Sequence, residues 1–445
     1  MAEYKKPTNE QEFEANFKQK KPLMNNTEAY YESARCLFCY DAPCVTACPT
    51  GIDIPLFIKQ IHTKNTIGSA KTIYDANWLG NACGTVCPTG VLCEGACVYN
   101  HQDVPPIQIG RLQNFATKHV IDNEVILYKA SNKKNKKVAI IGAGPAGIAC
   151  ACELRMMGYE VVIYEAKAKP SGLTVYGVAP YKITNEEAIE EINYLQKQLG
   201  FIIKYNHAIT KQAQINELEN NYDAIFIGVG LGETNLLNLE GEAKENVVGA
   251  VEFIEDLRMN HHTTNVGKKV VVIGGGNTAM DAASEAARMG ANEVFLVYRR
   301  GKTEKGAYEF EYDLAKGAGV QGVFNATPVA INGNGSVSGV TFKKTESVEG
   351  RLTEIDDSEF TIHCDMVIKA TGQNKKVDLL GMIGVELDKR NKIVVNLENF
   401  QTKKPKYFAG GDAVNGGAEV VNAAYDGKMA ARGIDGWLKL ETKTD

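Results

Sequence analysis

The stretch VAIIGAGPAGIACACELRMMGYEVVIYEA (138–166) carries three glycines in the order G-x-G-x-x-G, between an apolar strand pattern and a helical pattern. The first glycine permits the tight turn off the strand, the second lets the backbone approach a pyrophosphate, and the third lets the helix pack closely on the sheet. A carboxylate at the end of the next strand can accept from the ribose hydroxyl groups. The unit predicts a dinucleotide site at the helix N-terminus, with contacts from Gly142, Gly144, Pro145, Ala146, Gly147 and Glu165.

A second copy, VVVIGGGNTAMDAASEAARMGANEVFLVYRRG (270–301), has the G-x-G-x-x-A variant, which ends in Ala279. Its next strand ends in Arg299-Arg300 rather than in an acid. A guanidinium group there can bind a 2′-phosphate, which favours NADP(H), although two arginines on a loop are also ordinary surface charge. The predicted contacts are Gly274, Gly275, Gly276, Asn277, Thr278, Arg299 and Arg300.

The C-terminal stretch YFAGGDAVNGGAEVVNAAYDGKMAA (407–431) indicates that the first site holds FAD. A strand that runs into Gly410-Gly411-Asp412 and then a helix is typical of the far end of the flavin site in flavoenzymes with two dinucleotide units. Nearer the first unit, GLTVYG (172–177) is expected to cover the flavin ring. The predicted flavin contacts are Leu173, Gly411 and Asp412.

Eight of the eleven cysteines lie in two short runs, CLFCYDAPCVTACP beginning at Cys36 and CGTVCPTGVLCEGAC beginning at Cys83. Only Cys36 and Cys39 have the C-x₂-C spacing of a zinc knuckle. Cys48 and Cys87 each precede a proline, as does the cysteine that ligates the other cluster in two-cluster ferredoxins. Many soft thiolates beside a flavin favour iron–sulfur clusters, two in number, over zinc or free thiols.

Composition places the chain among soluble globular proteins, with 44% hydrophobic and 23% charged residues. A net charge of −5 makes nucleic acid an unlikely partner. No apolar run approaches the roughly 18 residues that span a membrane, and the polar N-terminus is not a signal peptide. We therefore expect a cytoplasmic protein, in which dense cysteines indicate metal or redox chemistry rather than disulfides.

Three further stretches carry a family resemblance: RCLFCYDAPCVTACPTGIDIPLFI (35–58), ANWLGNACGTVCPTGVLCEGAC (76–97) and PIQIGRLQNFA (106–116). With the two nucleotide units, they resemble the glutamate synthase small subunits and the N-terminal half of dihydropyrimidine dehydrogenase. They are most similar to the latter, whose bacterial form has two subunits, and the chain resembles the smaller, flavin-bearing one. The resemblance extends from about residue 28 to the C-terminus.

The resemblance also implies how the cysteines are shared between clusters. One cluster would be held by Cys36, Cys39, Cys44 and Cys97. The other would be held by Cys48, Cys87 and Cys93, with Gln113 as its fourth ligand. The residues alone favour Cys83 in that place, because a thiolate is a better iron ligand than an amide oxygen. Both remain candidates.

The function that the resemblance implies is an electron-transfer oxidoreductase subunit. NAD(P)H reduces FAD, and two [4Fe-4S] clusters then carry single electrons. We assign no catalytic acid, base or nucleophile, because the cofactors carry the chemistry. In this family uracil or thymine is reduced on FMN in a separate domain, so an FMN-containing, pyrimidine-reducing partner subunit is expected. The alternatives are a glutamate synthase small subunit and a non-catalytic iron–sulfur redox module. The split bacterial enzymes are generally NADH-dependent, which leaves both NADH and NADPH open.

The predicted fold class is α plus α/β, in three domains. An all-helical, ferredoxin-like iron–sulfur domain (1–130) precedes a Rossmann-type FAD-binding domain (131–245 and 371–445). A second Rossmann-type domain, for NAD(P), is inserted in it (246–370). In the helical domain, the period of 3.6 residues predicts a helix with an apolar face of Ile54, Phe57, Ile58 and Ile61.

Overall fold

The computed structural model describes residues 4–348 and 351–441. Its helices are α1 (Glu10–Asn16), α2 (Asn26–Ala34), α3 (Pro43–Thr46), α4 (Ile54–His62), α5 (Thr66–Ala76), α6 (Gly80–Val86), α7 (Ile109–Asp122), α8 (Pro145–Met156), α9 (Leu173–Tyr176), α10 (Asn185–Leu199), α11 (Gln212–Asn221), α12 (Ala250–Asn260), α13 (Asn277–Arg288), α14 (Glu309–Gly317), α15 (Val377–Ile383), α16 (Asp412–Asn415) and α17 (Val420–Glu441). Within those residues, no helix is both long and apolar enough to cross a membrane.

Strands begin only after α7. They are β1 (Lys137–Ile141), β2 (Glu160–Tyr164), β3 (Ile202–Lys204), β4 (Ala224–Ile227), β5 (Val247–Gly249), β6 (Lys269–Ile273), β7 (Glu293–Tyr298), β8 (Gln321–Phe324), β9 (Ala326–Asn332), β10 (Gly339–Val348), β11 (Arg351–Glu354), β12 (Phe360–Ile362), β13 (Met366–Lys369) and β14 (Tyr407–Ala409). The chain is therefore helical first and α/β afterwards, as the sequence predicts.

The predicted amphipathic helix of the N-terminal region is α4. Asp53 caps it by accepting a hydrogen bond from the Leu56 backbone N–H at 3.1 Å, and Pro55 occupies the first turn, where a missing N–H costs nothing. Its apolar face is buried as predicted, through Ile54, Phe57, Ile58 and Ile61.

Two parallel sheets follow. The first has the strand order β14-β4-β1-β2-β3 and the second β5-β13-β6-β7-β8, and every neighbouring pair within them is parallel. Strands β9 to β12 form a separate antiparallel sheet. All strands of the second sheet lie in the chain between β4 and β14 of the first, so one Rossmann-like unit interrupts the other.

The backbone contacts divide the chain into two units. One consists of Met1–Gln19, Tyr176–Tyr181 and Gly232–Asn374, and the other of Lys20–Val175, Lys182–Leu231 and Lys375–Asp445. The inserted unit is longer than the sequence predicts, because its two connecting segments pair with each other. The backbone N–H of Gly232 donates to the carbonyl of Asn374, and Thr234 bridges Gln373.

The N-terminal residues also differ from the sequence-based division. Helix α1 belongs to the inserted unit rather than to the helical domain. Phe13 and Phe17 are buried with Tyr181 in one apolar cluster, and the side-chain amide of Asn16 donates to the carbonyl of Arg288 at 2.7 Å. Burial of two aromatic rings accounts for this placement, which no local pattern indicates.

The helical region and the first sheet form one unit with a shared core. Glu153 of α8 accepts hydrogen bonds from Trp78 Nε1 at 2.9 Å and from Arg432 Nε of α17 at 3.0 Å. The Lys428 ammonium group of α17 donates to the carbonyls of Asp75 and Ala76 at the end of α5. These bonds fix the end of α5 and the segment that leads into α6, the helix of Cys83, against the two helices that flank the predicted FAD site.

Candidate functional site

The eight clustered cysteines line two cavities in the helical region. The first cavity is walled by apolar side chains and by the thiols of Cys36, Cys39, Cys44 and Cys97. Burial raises the pKa of the Cys44 thiol to about 11. A thiolate at this place therefore needs a bound cation to compensate its charge.

The second cavity is lined by Cys48, Cys83, Cys87, Cys93 and Gln113. Burial raises the pKa of the Cys93 thiol as well. Ile54 of α4 lines both cavities, so a single side chain contributes to the wall of each. The structure thus brings every cysteine of the two sequence runs to one cavity or the other.

Cys83 and Gln113 both reach the second cavity, from the neighbouring helices α6 and α7. The Gln113 side chain is buried, and its Nε2 donates to the carbonyl of Gly80 at 2.6 Å. Since that bond holds the amide nitrogen, the atom left for an occupant of the cavity is the carbonyl oxygen Oε1. Cys83 hydrogen-bonds Cys87, which raises the pKa of the Cys87 thiol.

Each donor set fits an iron–sulfur cluster, because soft thiols surround a space with largely apolar walls. Among residues 4–348 and 351–441, no group of three or more His, Cys, Asp or Glu side chains is arranged to hold a metal ion, so this fit rests on the chemistry of the donors.

The first glycine loop has the backbone geometry that a dinucleotide requires. Gly142 has a φ of +102°, and a Cβ there would lie 2.5 Å from the carbonyl oxygen of Gly228. A Cβ on Gly147 would lie 2.0 Å from the carbonyl oxygen of Gly142, so the helix can start this close only without a side chain. At Gly144 the nearest atom is 4.0 Å away, which leaves room for a diphosphate at the start of α8.

Glu165 stands beside that loop at the end of β2. Its carboxylate is 8% exposed and accepts hydrogen bonds from the backbone N–H groups of Ala143 at 2.7 Å and Lys167 at 2.8 Å. Helix α8 begins at Pro145 and continues through Ala146, as the fingerprint predicts. The carboxylate is thus fixed where a ribose bound to this loop would lie.

The loop that precedes α9 contains a residue that sequence reasoning missed. Ser171 has a φ of +76°, and its N–H donates to the carbonyl of Ala143 at 2.8 Å. Its hydroxyl is buried and has no hydrogen-bond partner among the described residues. The next residue, Gly172, approaches Gly144 so closely that a Cβ would lie 3.0 Å from its Cα. Leu173 begins α9. No local sequence pattern marks Ser171, because its left-handed conformation, which favours glycine, is visible only in the structure.

The C-terminal motif meets the first glycine loop in space. Gly411 has a φ of +70°, and a Cβ there would lie 3.0 Å from the Cβ of Ala146. Asp412 begins α16, accepts a hydrogen bond from the Ala418 backbone N–H, and has its pKa raised by burial. Both halves of the predicted FAD site therefore converge on the N-terminus of α8. The Ser171 hydroxyl, which has no partner among the described residues, and the open space at Gly144 fit a bound dinucleotide.

The second glycine loop repeats this geometry in the inserted unit. A Cβ on Gly274 would lie 2.4 Å from the carbonyl oxygen of Ala370, whereas Gly276 has no atom within 4 Å. Helix α13 begins at Asn277, whose Oδ1 accepts from the Tyr308 N–H at 3.0 Å. The open side of the loop can therefore receive a second diphosphate.

The remaining residues of the second site lie around this loop. A Cβ on Gly275 would lie 2.5 Å from the ring of Tyr298, and Thr278 is exposed on α13. The carbonyls of Arg299 and Arg300 are hydrogen-bonded at the end of β7. In the part of the chain that the structure describes, neither guanidinium group forms an ion pair. Both are available to an anionic ligand.

Replacing Gly144 with alanine is expected to weaken FAD binding about tenfold while the apoprotein stays folded. The added Cβ has no clash in the chain but occupies the space that a diphosphate needs. Titration of apoprotein with FAD, followed by flavin fluorescence, measures the change. Gly436→Ala on α17 is the matched control, because that glycine also has no atom within 4 Å and lies away from the loop. Equal FAD affinity of both variants would contradict the assignment.

Comparison with known proteins matches the helical region and the α/β region to two different families. Residues 13–125 match the family of dihydropyrimidine dehydrogenase domain II with a 4Fe-4S cluster, and residues 136–427 match the pyridine nucleotide-disulphide oxidoreductases. Among solved structures, Mycobacterium tuberculosis FprA in complex with NADPH has a TM-score of 0.60 at 19% sequence identity. The match covers 70% of this chain and 86% of the FprA chain. T. acidophilum thioredoxin reductase has a TM-score of 0.53 at 23% sequence identity. The match covers 69% of this chain and 100% of the thioredoxin reductase chain. Both likenesses show the fold.

Two full-length relatives come from Escherichia coli (strain K12). The NAD-dependent dihydropyrimidine dehydrogenase subunit PreT is 35% identical over 418 residues, which are 94% of this chain and 96% of that protein. The glutamate synthase [NADPH] small chain is 33% identical over 440 residues, 93% of this chain and 92% of that protein. The protein is an oxidoreductase with an FAD- and NAD(P)H-binding fold and a 4Fe-4S domain, and it belongs to the family that contains the PreT subunits and the glutamate synthase small chains.

Proposed function

We propose that the chain is the electron-input subunit of a dihydropyrimidine dehydrogenase. It takes electrons from NAD(P)H and delivers them to an FMN-containing partner subunit that reduces uracil or thymine, or it works in the reverse direction. When bound, FAD exchanges a hydride for single electrons, and two [4Fe-4S] clusters carry single electrons. The chain's own residues bind these groups, set their order and exclude water.

The observation that carries this proposal is the continuity of the cofactor sites. Val421 lines the second cavity and lies in the first turn of α17, the helix that follows Asp412 of the proposed FAD site along the chain. Ile54 then links the second cavity to the first. From these two links we infer the order FAD site, second cavity, first cavity. An FAD site followed by two neighbouring cysteine-lined cavities supports stepwise transfer of single electrons.

The first cavity lies beside an exposed loop. Leu37 lines it and is 54% exposed, and Tyr40, in the same loop, is fully exposed. We place the exit of electrons at this loop, so the partner subunit is expected to contact it. The isolated chain then lacks only the final acceptor.

Metal analysis and activity together test the proposal. The purified chain is expected to contain one FAD and about eight iron and eight acid-labile sulfide atoms. With NADH or NADPH it should reduce an artificial acceptor but not uracil, and addition of the FMN-containing partner should restore uracil reduction. Steady conversion of uracil by the chain alone would refute the need for a partner. Zinc without inorganic sulfide would refute the electron path.

The second candidate is the small subunit of a glutamate synthase. It is supported by the 33% identity to the E. coli glutamate synthase small chain over nearly the whole length. In that case the electrons would serve a glutamine-using large subunit. Reconstitution with each large subunit in turn separates the two functions, since only one should turn over.

Removing both arginines of the β7 loop is expected to lower kcat/KM for NADPH about tenfold and to leave that for NADH within about twofold. The reason is that a guanidinium group pairs with the 2′-phosphate, which NADH lacks. Steady-state reduction of an artificial acceptor by Arg299→Ala/Arg300→Ala measures both values. Arg351→Ala is the control, because this arginine is exposed in the same unit but lies on β11 rather than at the end of β7. Equal losses with both dinucleotides would contradict the role.

A further inference from the structure

Asn77 lines the second cavity and has a fixed orientation. It ends α5, is 1% exposed, and its Oδ1 accepts a hydrogen bond from the backbone N–H of Leu79 at 3.0 Å. A backbone N–H can only donate, so the atom it contacts must be the amide oxygen. The other terminal atom of the Asn77 side chain is therefore the amide nitrogen, Nδ2.

That nitrogen lacks a partner. Among the described residues, no acceptor lies within hydrogen-bond distance of the buried Asn77 Nδ2. A buried donor without an acceptor is costly and is rare in folded proteins. The other polar groups that line this cavity include the thiols of Cys48, Cys83, Cys87 and Cys93. The missing acceptor is thus expected to be part of what occupies the cavity.

An iron–sulfur cluster supplies suitable acceptors, because its sulfide and thiolate sulfurs carry negative charge. Hydrogen bonds to these sulfurs are one of the ways in which a protein sets a cluster's potential. A donor stabilises the reduced cluster more than the oxidised one, since the reduced cluster is more negative. It therefore raises the reduction potential.

We propose that Asn77 donates an N–H···S hydrogen bond to the cluster of the second cavity and raises its reduction potential. This inference rests on the proposed function, which places a cluster there. It gives Asn77 a positioning and tuning role, apart from the ligands. A donor at the cavity next to the FAD site would favour transfer of electrons out of the flavin.

Asn77→Leu tests the inference, because leucine has a similar volume and no donor. EPR-monitored redox titration of the holoprotein measures both clusters, and the signal absent from Cys93→Ala identifies the second. At a fixed potential, the ratio of reduced to oxidised second cluster is expected to fall about tenfold, which is about 59 mV for a one-electron couple. The first cluster should be unchanged and serves as the internal control.

Asn114→Leu is the matched control variant. Asn114 is also buried, its Nδ2 donates to the carbonyl of Asn81 at 2.7 Å, and its Oδ1 has no partner in the described part of the chain. It does not line the cavity. The substitution should therefore disturb packing near the same helices without moving the second cluster's potential. An equal shift in both variants would overturn the inference.

Pulsed EPR separates a direct hydrogen bond from a structural effect. With side-chain ¹⁵N-labelled asparagine, the reduced second cluster should show a weak nitrogen coupling that persists in Asn114→Leu and is lost in Asn77→Leu. If leucine prevents cluster assembly, Asn77→Asp retains the acceptor for Leu79 and should also lack the coupling. About eight iron atoms with no coupling in the unsubstituted protein would overturn this inference alone. About four iron atoms would overturn it together with the proposed two-cluster content.

Discussion

Replacing Gln113 with leucine is expected to remove the second cluster and to lower the iron content from about eight to about four atoms per chain. The Gln113 amide nitrogen is held by the Gly80 carbonyl at 2.6 Å, which leaves Oε1 as the atom for iron. Leucine fills the same space without an oxygen. Reduction of FAD by NAD(P)H should persist, whereas transfer to the partner subunit should be lost. Iron and sulfide analysis with EPR measures the change.

Cys83→Ala is the matched control for that experiment, because Cys83 lines the same cavity from the adjacent helix α6. It should keep about eight iron atoms. Gln113→Glu should also retain the cluster, because a carboxylate oxygen can replace the amide oxygen as ligand. If Cys83→Ala loses the cluster and Gln113→Leu keeps it, the thiolate is the fourth ligand and our assignment is wrong.

Replacing Glu191 with alanine is expected to destabilise the unit that contains the helical region and the first sheet by about 3 kcal/mol at pH 7. Helix α6 has no side-chain cap of its own at Leu79. Glu191 of α10 supplies the cap from a distance, accepting from the backbone N–H groups of Asn81 at 2.6 Å and Ala82 at 2.9 Å. Alanine would leave both buried donors unpaired. Chemical denaturation followed by the fluorescence of Trp78, which lies between α5 and α6, measures the change.

The effect of Glu191 should depend on pH. Burial raises its pKa to about 7, although its two backbone hydrogen bonds act in the opposite direction. Because the pKa in the folded state is above the usual value near 4.5, its stabilising contribution is full at low pH and is lost as pH rises through 7. The difference in unfolding free energy between the unsubstituted protein and Glu191→Ala should be about 2 kcal/mol larger at pH 5.5 than at pH 8.

Glu190→Ala is the control, because the neighbouring carboxylate is 47% exposed and pairs with Lys118. Exposed ion pairs contribute little, so this variant should change stability by less than about 1 kcal/mol and without the same pH dependence. If both variants lose equal stability, the distant cap is not what holds α6.

Both glycine loops were readable from the sequence, and the reason is local. A strand that turns sharply into a helix around a diphosphate needs glycine at particular positions, and the clashes that a Cβ would make at Gly142, Gly147 and Gly274 show why. The amphipathic helix α4 was readable for the same kind of reason, since its apolar face recurs with the helical period.

By itself, the sequence determined that this protein has two dinucleotide units and a set of clustered thiols, because backbone turns and ligand chemistry restrict residue type over short spacings. The family resemblance implied that Cys97 groups with Cys36 and Cys48 with Cys87, but only the tertiary structure brings each group to a shared cavity. It also decided the parts played by Asn77, Ser171 and Glu191, and the packing of α1 on the inserted unit. These are contacts between residues far apart in the chain, made by side chains that suit many other positions equally well, so no local pattern marks them.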